Sequence, residues 1–215
     1  FNVPVRRKFQ ASPTTDLRKI QLVVTELAMA NPQVGITLIN QGQTLLQSPS
    51  LSRLPPIEAL EKRVEDILGK KGIRGAIPIK SSTQDLEILG LLGSPLELRP
   101  NRKGQFLFIN RRPVHCPVIE EAVANAYGTR QDEQGFAQFV LHLNISPRLV
   151  DINVHPQKSE VRLQNPQELS QKITQAIDSC LHQTQPAALT SPPLHVSVRS
   201  EEHTSELQSP DHLVC

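Results

Sequence analysis

Apolar residues recur at three- and four-residue spacing in four segments of the chain, and this spacing predicts four amphipathic helices. The first helix follows an N-cap-like Ser12-Pro13-Thr14-Thr15 cluster and should end before Asn31-Pro32. The second follows Pro55-Pro56 and should end at Gly69. The four sets are Leu17, Ile20, Val23, Val24, Leu27 and Ala28; Ile57, Leu60, Val64, Ile67 and Leu68; Val118, Ile119, Ala122, Val123, Ala126 and Tyr127; and Leu169, Ile173, Ile177 and Leu181.

Runs rich in β-branched and aromatic residues lie between these helices and predict strands. The first two runs flank Asn40-Gln41-Gly42-Gln43, which predicts a hairpin. The runs are Val34–Ile39, Thr44–Leu46, Ala76–Ile79, Leu86–Leu92, Gln105–Ile109, Phe139–Ile145 and Val150–Val154. The alternation of helices and strands predicts an α/β fold, an α+β two-layer sandwich, from about Thr14 to Gln183.

The last 32 residues differ in composition from the rest. Residues 184–198 are rich in Pro, Ser and Thr without an apolar period, so we expect a linker. Residues 199–215 resemble the translation of a sequencing adapter, and we expect a disordered tail to which we assign no function. This tail has a net charge of −3. Because the formal net charge of the whole chain is +2, residues 1–198 have a net charge of +5.

Composition limits the kinds of binding that are open to the chain. The 215 residues are 38% hydrophobic and 20% charged, and no apolar run is long enough to span a bilayer. Cys116, Cys180 and Cys215 lack the spacing of a zinc site or a disulfide framework. Aromatic residues make up only 3%, so base stacking cannot be the main way of holding nucleic acid. Contact with phosphates through Lys and Arg remains possible.

The segment Val150–Leu163 contains the most informative motif. Pro156 ends a strand, so Lys158 follows on a loop, where its ammonium group can reach an external anion. On spacing alone, a solvated loop lysine is the commoner alternative. His155 lies between the strand and Pro156, a position more typical of a structural hydrogen-bonding residue than of a general base.

Three segments resemble motifs of the MutL family of DNA mismatch repair proteins. Asp151–Arg162 reads D-I-N-V-H-P-Q-K-S-E-V-R and resembles the family's D-V-N-V-H-P-x-K-x-E-V-R. Phe1–Phe9 resembles the F-x-N-x-P-A-R-R-K-F motif that closes the GHKL-type ATPase domain, and Phe106–Val114 resembles Y-x-F-V-N-G-R-P-V. The three occur in the family's order, so the resemblance covers roughly Phe1 to Leu181.

The resemblance implies a ribosomal-protein-like transducer domain with a left-handed β-α-β crossover at residues 14–183, preceded by the end of the ATPase domain at residues 1–13. It also implies that Lys158 reaches the γ-phosphate of ATP and serves nucleotide binding and catalysis. The family's E-x-x-x-N-x-x-D-A and D-x-G-x-G motifs, which hold ATP and Mg²⁺, are not found in this sequence. We therefore expect these residues alone neither to bind ATP appreciably nor to hydrolyse it.

Basic clusters are candidates for other contacts. Arg6, Arg7 and Lys8 end one implied domain, so a domain interface is favoured over a solvated face or DNA contact. Arg102, Lys103, Arg111 and Arg112 are candidate nucleic-acid contacts, which would bind phosphates. The chain departs from the family here, because Arg111 replaces the usual Gly and residues 113–117 lack the basic side chains of many relatives.

In the whole protein the resemblance implies DNA, a MutS-type mismatch sensor and a downstream nuclease or helicase as partners. It also implies ATP-dependent dimerisation through the N-terminal region and a location in the bacterial cytoplasm at the nucleoid, or in a eukaryotic nucleus. A stand-alone nucleic-acid-binding module of the same fold is the main alternative. A further alternative is the transducer of a type II topoisomerase or of a heat-shock ATPase chaperone. Those proteins lack the N-V-H-P-x-K-x-E-V-R run, which disfavours this alternative.

Overall fold

The computed structural model describes residues 12–69, 72–128, 135–151 and 161–184. Four helices and nine strands occur in this part of the chain; the helices and seven of the strands follow the predicted order, and the short strands at 112–113 and 162–163 were not predicted. The helices are α1 (Pro13–Ala30), α2 (Pro56–Leu68), α3 (Pro117–Tyr127) and α4 (Pro166–Thr184). The strands are β1 (Ile36–Asn40), β2 (Gln43–Ser48), β3 (Ile77–Ser82), β4 (Leu86–Leu92), β5 (Gln105–Ile109), β6 (Arg112–Pro113), β7 (Phe139–Ile145), β8 (Val150–Asp151) and β9 (Arg162–Leu163).

Five strands form a mixed sheet in the order β3-β4-β7-β5-β6. Neighbouring strands are antiparallel except for β5 and β7, which run parallel from Gln105 opposite Phe139 to Ile109 opposite Leu143. Parallel neighbours need a crossover connection, and α3 lies in it. The predicted α/β fold is therefore confirmed, whereas the left hand of the crossover stays a prediction.

The larger core lies between one face of this sheet and helices α3 and α4. Alternate residues of the strands point into it, and the apolar stripes of both helices cover them. Tyr127 of α3 is fully buried, and its hydroxyl donates a hydrogen bond to the backbone oxygen of Gly93 at 2.8 Å. Burial raises the pKa of this hydroxyl. This sheet and helix pair form the two layers that the sequence predicts.

The opposite face of the sheet is covered in part by α2 and the last turn of α1. Its smaller core comprises Met29, Ala30, Leu60, Val64, Ile73, Leu91, Phe108 and Val140. The earlier turns of α1 take no part in it: Ile20 is 50% exposed and Val23 is 53% exposed. No helix in the described ranges is long and apolar enough to cross a membrane.

A buried arginine connects the segments on either side of the β1–β2 hairpin to helix α2. The side chain of Arg63 on α2 is fully buried, and its Nη2 atom donates hydrogen bonds to the backbone oxygens of Pro32, Val34 and Pro49 at 2.6, 2.8 and 2.8 Å. Burial lowers the pKa of Arg63, an effect that the nearby Asp66 opposes. The guanidinium group thereby fixes both ends of the β1–β2 hairpin to α2.

Candidate phosphate-binding site

The loop that contains the sequence-predicted Lys158 and His155 lies outside the described residues, but both of its ends are described. Asp151 on β8 pairs with Arg162 on β9, and Val150 pairs with Leu163. Val150 is buried in the main core, so the base of the loop is held by packing as well as by backbone pairing. The role predicted for Lys158 stays a prediction. Arg6, Arg7 and Lys8 also lie outside the described residues.

The base of this loop lies beside the end of β7. A short turn after Ile145 leads to β8; within it, the amide of Leu149 donates to the oxygen of Ser146 at 2.9 Å. The amide of Ser146 donates to the oxygen of Asp85 at 3.0 Å, which attaches the turn to the start of β4. Asp151, the last described residue before the 152–160 segment, therefore lies near the end of the sheet where β5 and β7 end.

A two-residue turn projects from the same edge and joins β5 to β6. Its residues, Asn110 and Arg111, both have positive φ, at 49° and 66°, which is the geometry of a type I′ turn. The Asn110 side chain donates to the backbone oxygen of Ile145 at 3.0 Å and accepts from its amide at 2.9 Å. The side-chain amide of Asn110 thus satisfies the backbone N–H and C=O groups of Ile145 at the end of β7, and these two bonds fix the turn in place.

This turn presents two adjacent cations to solvent. Arg111 and Arg112 are exposed, and neither side chain has a hydrogen-bonding or ion-pair partner within the described part of the chain. Arg148, in the turn after β7, is exposed at the same edge. Guanidinium groups present parallel N–H donors that match phosphate oxygens. This arrangement can bind a phosphate group.

Arg102 and Lys103 lie at the opposite end of β5. The strand separates the two basic pairs by at least about 13 Å, at roughly 3.3 Å per residue. The guanidinium of Arg102 contacts Glu120 at 3.2 Å and lies 5.2 Å from the ring centroid of Phe136. The same carboxylate contacts His115 Nδ1 at 2.5 Å. The two basic pairs that the sequence offers as candidate nucleic-acid contacts therefore lie apart, and Arg102 already has acidic and aromatic neighbours.

Beneath the turn lies a partly buried histidine that sequence reasoning missed. His142 on β7 packs against the ring of Phe108, with ring centroids 4.7 Å apart. Burial and the positive charge of Arg111 lower the pKa of His142 to about 4, while a hydrogen bond with the backbone of Met29 acts in the opposite direction. Its Nε2 atom has no hydrogen-bonding partner in the described structure. His142 is therefore neutral at pH 7. The sequence did contain a signal for its position, because residues two apart on a strand lie on the same face and His142 therefore shares a face with the apolar Val140.

The described residues contain no group of three or more His, Cys, Asp or Glu side chains that could hold a metal ion. Burial raises the pKa of the thiols of Cys116 and Cys180, which are free. Thiolate ligands are therefore disfavoured at both positions.

Comparison with known proteins places this chain in a family. The family model described as "DNA mismatch repair protein, C-terminal domain" matches residues 64–182, more than half of the chain. Proteins named DNA mismatch repair protein MutL are similar over most of it: that of Chlamydia trachomatis serovar L2 is 35% identical over 181 residues, or 84% of this chain. That of Mannheimia succiniciproducens is 34% identical over 185 residues, or 86% of this chain. The chain spans only 30% and 29% of the lengths of these relatives.

Solved structures support the fold. One described as the N-terminal domain of a DNA repair protein superposes with a TM-score of 0.66 and 20% identity, covering 85% of this chain and 58% of that one. The ATPase domain of the mismatch repair endonuclease MutL of Aquifex aeolicus has a TM-score of 0.54 and 23% identity, covering 84% of this chain and 57% of that one. At these identities the likeness concerns fold alone. From the family match and the curated relatives, the chain belongs to the MutL family of DNA mismatch repair proteins.

Proposed function

We propose that this region is the transducer domain of a MutL-type ATPase in DNA mismatch repair. In this role it couples ATP binding and hydrolysis in a preceding domain to DNA clamping and to the recruitment of partners. The observation that carries the proposal is the backbone pairing of Asp151 with Arg162, which holds together the two sides of the 152–160 segment. A lysine between two sides held in this way can reach across a domain boundary while the sheet stays fixed.

In this proposal Lys158 contacts the terminal phosphate of a nucleotide bound next door. Its ammonium stabilises negative charge on the transferring phosphoryl group, and the loop position then depends on whether that phosphate is present. ATP and Mg²⁺ are held mainly by the preceding domain. Arg6, Arg7 and Lys8 lie at the interface between the two domains.

The test uses the longer reading frame that contains this region. Lys158→Ala should lower the kcat of ATP hydrolysis about 100-fold, the typical effect of removing one stabilising charge from a transition state. Lys158→Arg should keep part of the rate, because it keeps the charge. Lys103→Ala, at the far end of β5, is the matched control and should leave hydrolysis unchanged. Equal ATPase rates for Lys158→Ala and the unmodified protein would contradict the nucleotide role.

The 215 residues alone should bind ATP only weakly, because the implied nucleotide site lies mainly outside them. A calorimetric titration with ATP and Mg²⁺ measures this directly. A dissociation constant in the micromolar range would refute the proposed division of labour between the two domains.

The exposed Arg111–Arg112 pair also favours contact with DNA. Such contact would weaken as salt rises, because binding to phosphates releases counterions. A stand-alone nucleic-acid-binding module predicts the same salt dependence but no effect of Lys158→Ala on any ATPase. A MutS-type sensor, a downstream nuclease or helicase, and dimerisation when ATP is bound complete the proposed role of the whole protein.

A further inference from the structure

Arg111 occupies a backbone conformation that its side chain disfavours. The second position of a type I′ turn requires positive φ, for which glycine is the usual residue. At φ 66°, a residue with a Cβ atom lowers the folding equilibrium constant by about fivefold relative to glycine. The β1–β2 turn provides the internal comparison, because Gly42 occupies the same position there with φ 79°.

The side chain of Arg111 makes no stabilising contact within the described structure. It is exposed and has no hydrogen-bonding or ion-pair partner there, and the turn is held by the amide of Asn110 instead. Its positive charge also opposes protonation of the underlying His142. A residue that costs stability and makes no internal contact is typical of a position used for binding.

We propose that Arg111 is a phosphate contact for the DNA backbone that this chain maintains at the expense of its own stability. Arg112 follows it directly, and Arg148 lies in the turn after β7, so three exposed arginines occur at this end of the sheet. Bidentate donation from Arg111 and Arg112 to phosphate oxygens replaces the partners that both side chains lack. The inference rests on the proposed contact with DNA and selects the residue that carries it.

The experiment measures binding and stability on the same variants of the 215-residue chain. Fluorescence anisotropy with a labelled DNA duplex over a series of salt concentrations gives the affinity and its salt slope. Thermal unfolding gives the melting temperature. Arg111→Gly should raise the melting temperature by about 2–4 °C, while reducing the slope of log K against log salt by about one. Arg111→Lys should keep the slope and lose part of the affinity, because it keeps the charge without the planar fork.

Two control variants separate the local effect from general ones. Gln41→Gly relieves positive φ at the other hairpin turn, so it should raise the melting temperature without changing DNA binding. Arg53→Ala removes one exposed charge from the loop before α2, so it should leave the salt slope unchanged if the DNA contact is local.

The possible failures are distinguishable. If the unmodified chain has no salt-dependent affinity for DNA, the proposed DNA contact fails together with this inference. If it binds, and Arg112→Ala lowers the slope whereas Arg111→Gly does not, the inference alone fails. If Arg111→Gly weakens binding of ATP in the longer protein and leaves DNA binding intact, the phosphate belongs to a nucleotide and the inference is overturned.

Discussion

Helices α1 and α4 have nearly the same length and both have aliphatic residues at helical spacing, yet they differ in what they contribute to the fold. They comprise 18 and 19 residues. On α4, Ile173 and Ile177 are fully buried under the main core, whereas on α1 only the last turn, from Ala28 to Ala30, is buried. An amphipathic pattern therefore identifies a helix without showing how much of its apolar face the same domain covers.

The largest expected effect comes from the covered helix. Ile173→Ala removes a fully buried side chain from the main core, so it should reduce the free energy of unfolding by about 4 kcal/mol. Urea unfolding followed by circular dichroism measures the change. A loss below about 1 kcal/mol would show that α4 is not the stabilising element that its burial indicates.

A similar effect is expected where the β1–β2 hairpin is attached to α2. Arg63→Met removes the donor shared by the oxygens of Pro32, Val34 and Pro49 and should cost about 3 kcal/mol. Arg102→Met breaks an exposed ion pair and should cost less than about 1 kcal/mol. Comparison of the two urea midpoints checks the prediction. Equal midpoints would mean that the buried clamp contributes no more than a surface contact.

His142, on the face of the sheet that α2 and the end of α1 cover, should make the stability of the fold depend on pH. The pKa of His142 is about 4 in the folded chain and 6.5 in the unfolded chain, so the unfolded state binds the proton more readily. The free energy of unfolding should therefore include the full contribution of neutral His142 above pH 6.5. It should decrease as the pH drops towards 4, by about 3 kcal/mol at most. Unfolding across this range should show the loss, and His142→Gln should flatten it. The same slope in the variant would assign the dependence to other groups.

The smallest effect is expected on the exposed part of α1. Ile20→Ala changes the same residue type as Ile173→Ala but at a half-exposed site, and alanine is the better helix former. The change in the free energy of unfolding of this chain should be below about 0.5 kcal/mol. A loss comparable to that of Ile173→Ala would end the contrast between the two helices.

Much of the fold could be predicted from the sequence because it follows from local periodicity. The predicted strands Leu86–Leu92, Gln105–Ile109 and Phe139–Ile145 have their predicted bounds in the structure. The helix after Pro55-Pro56 begins at Pro56 and ends before Gly69 as predicted. Each of these elements is rich in apolar residues, and a proline or glycine lies at an end or within two residues of it.

Features that depend on tertiary contacts could not be predicted in this way. Arg63 follows the polar pattern of α2, and only the three carbonyl oxygens that surround it explain its burial. The hairpin at Asn110 and Arg111 lacks glycine, so its turn has no local signal, and it is fixed by a contact to Ile145 that is distant in sequence. The role of Lys158 depends on a neighbouring domain and stays a prediction.

The central place of β7 has a consequence for how the chain is made. This strand pairs with both β4 and β5, yet of the five strands it is synthesised last. Until residues 139–145 leave the ribosome, the β3–β4 hairpin and the β5–β6 hairpin have no strand between them, and each has an open edge. The nascent chain should therefore form its main sheet only late in translation, and its earlier hairpins are the segments on which a chaperone would act.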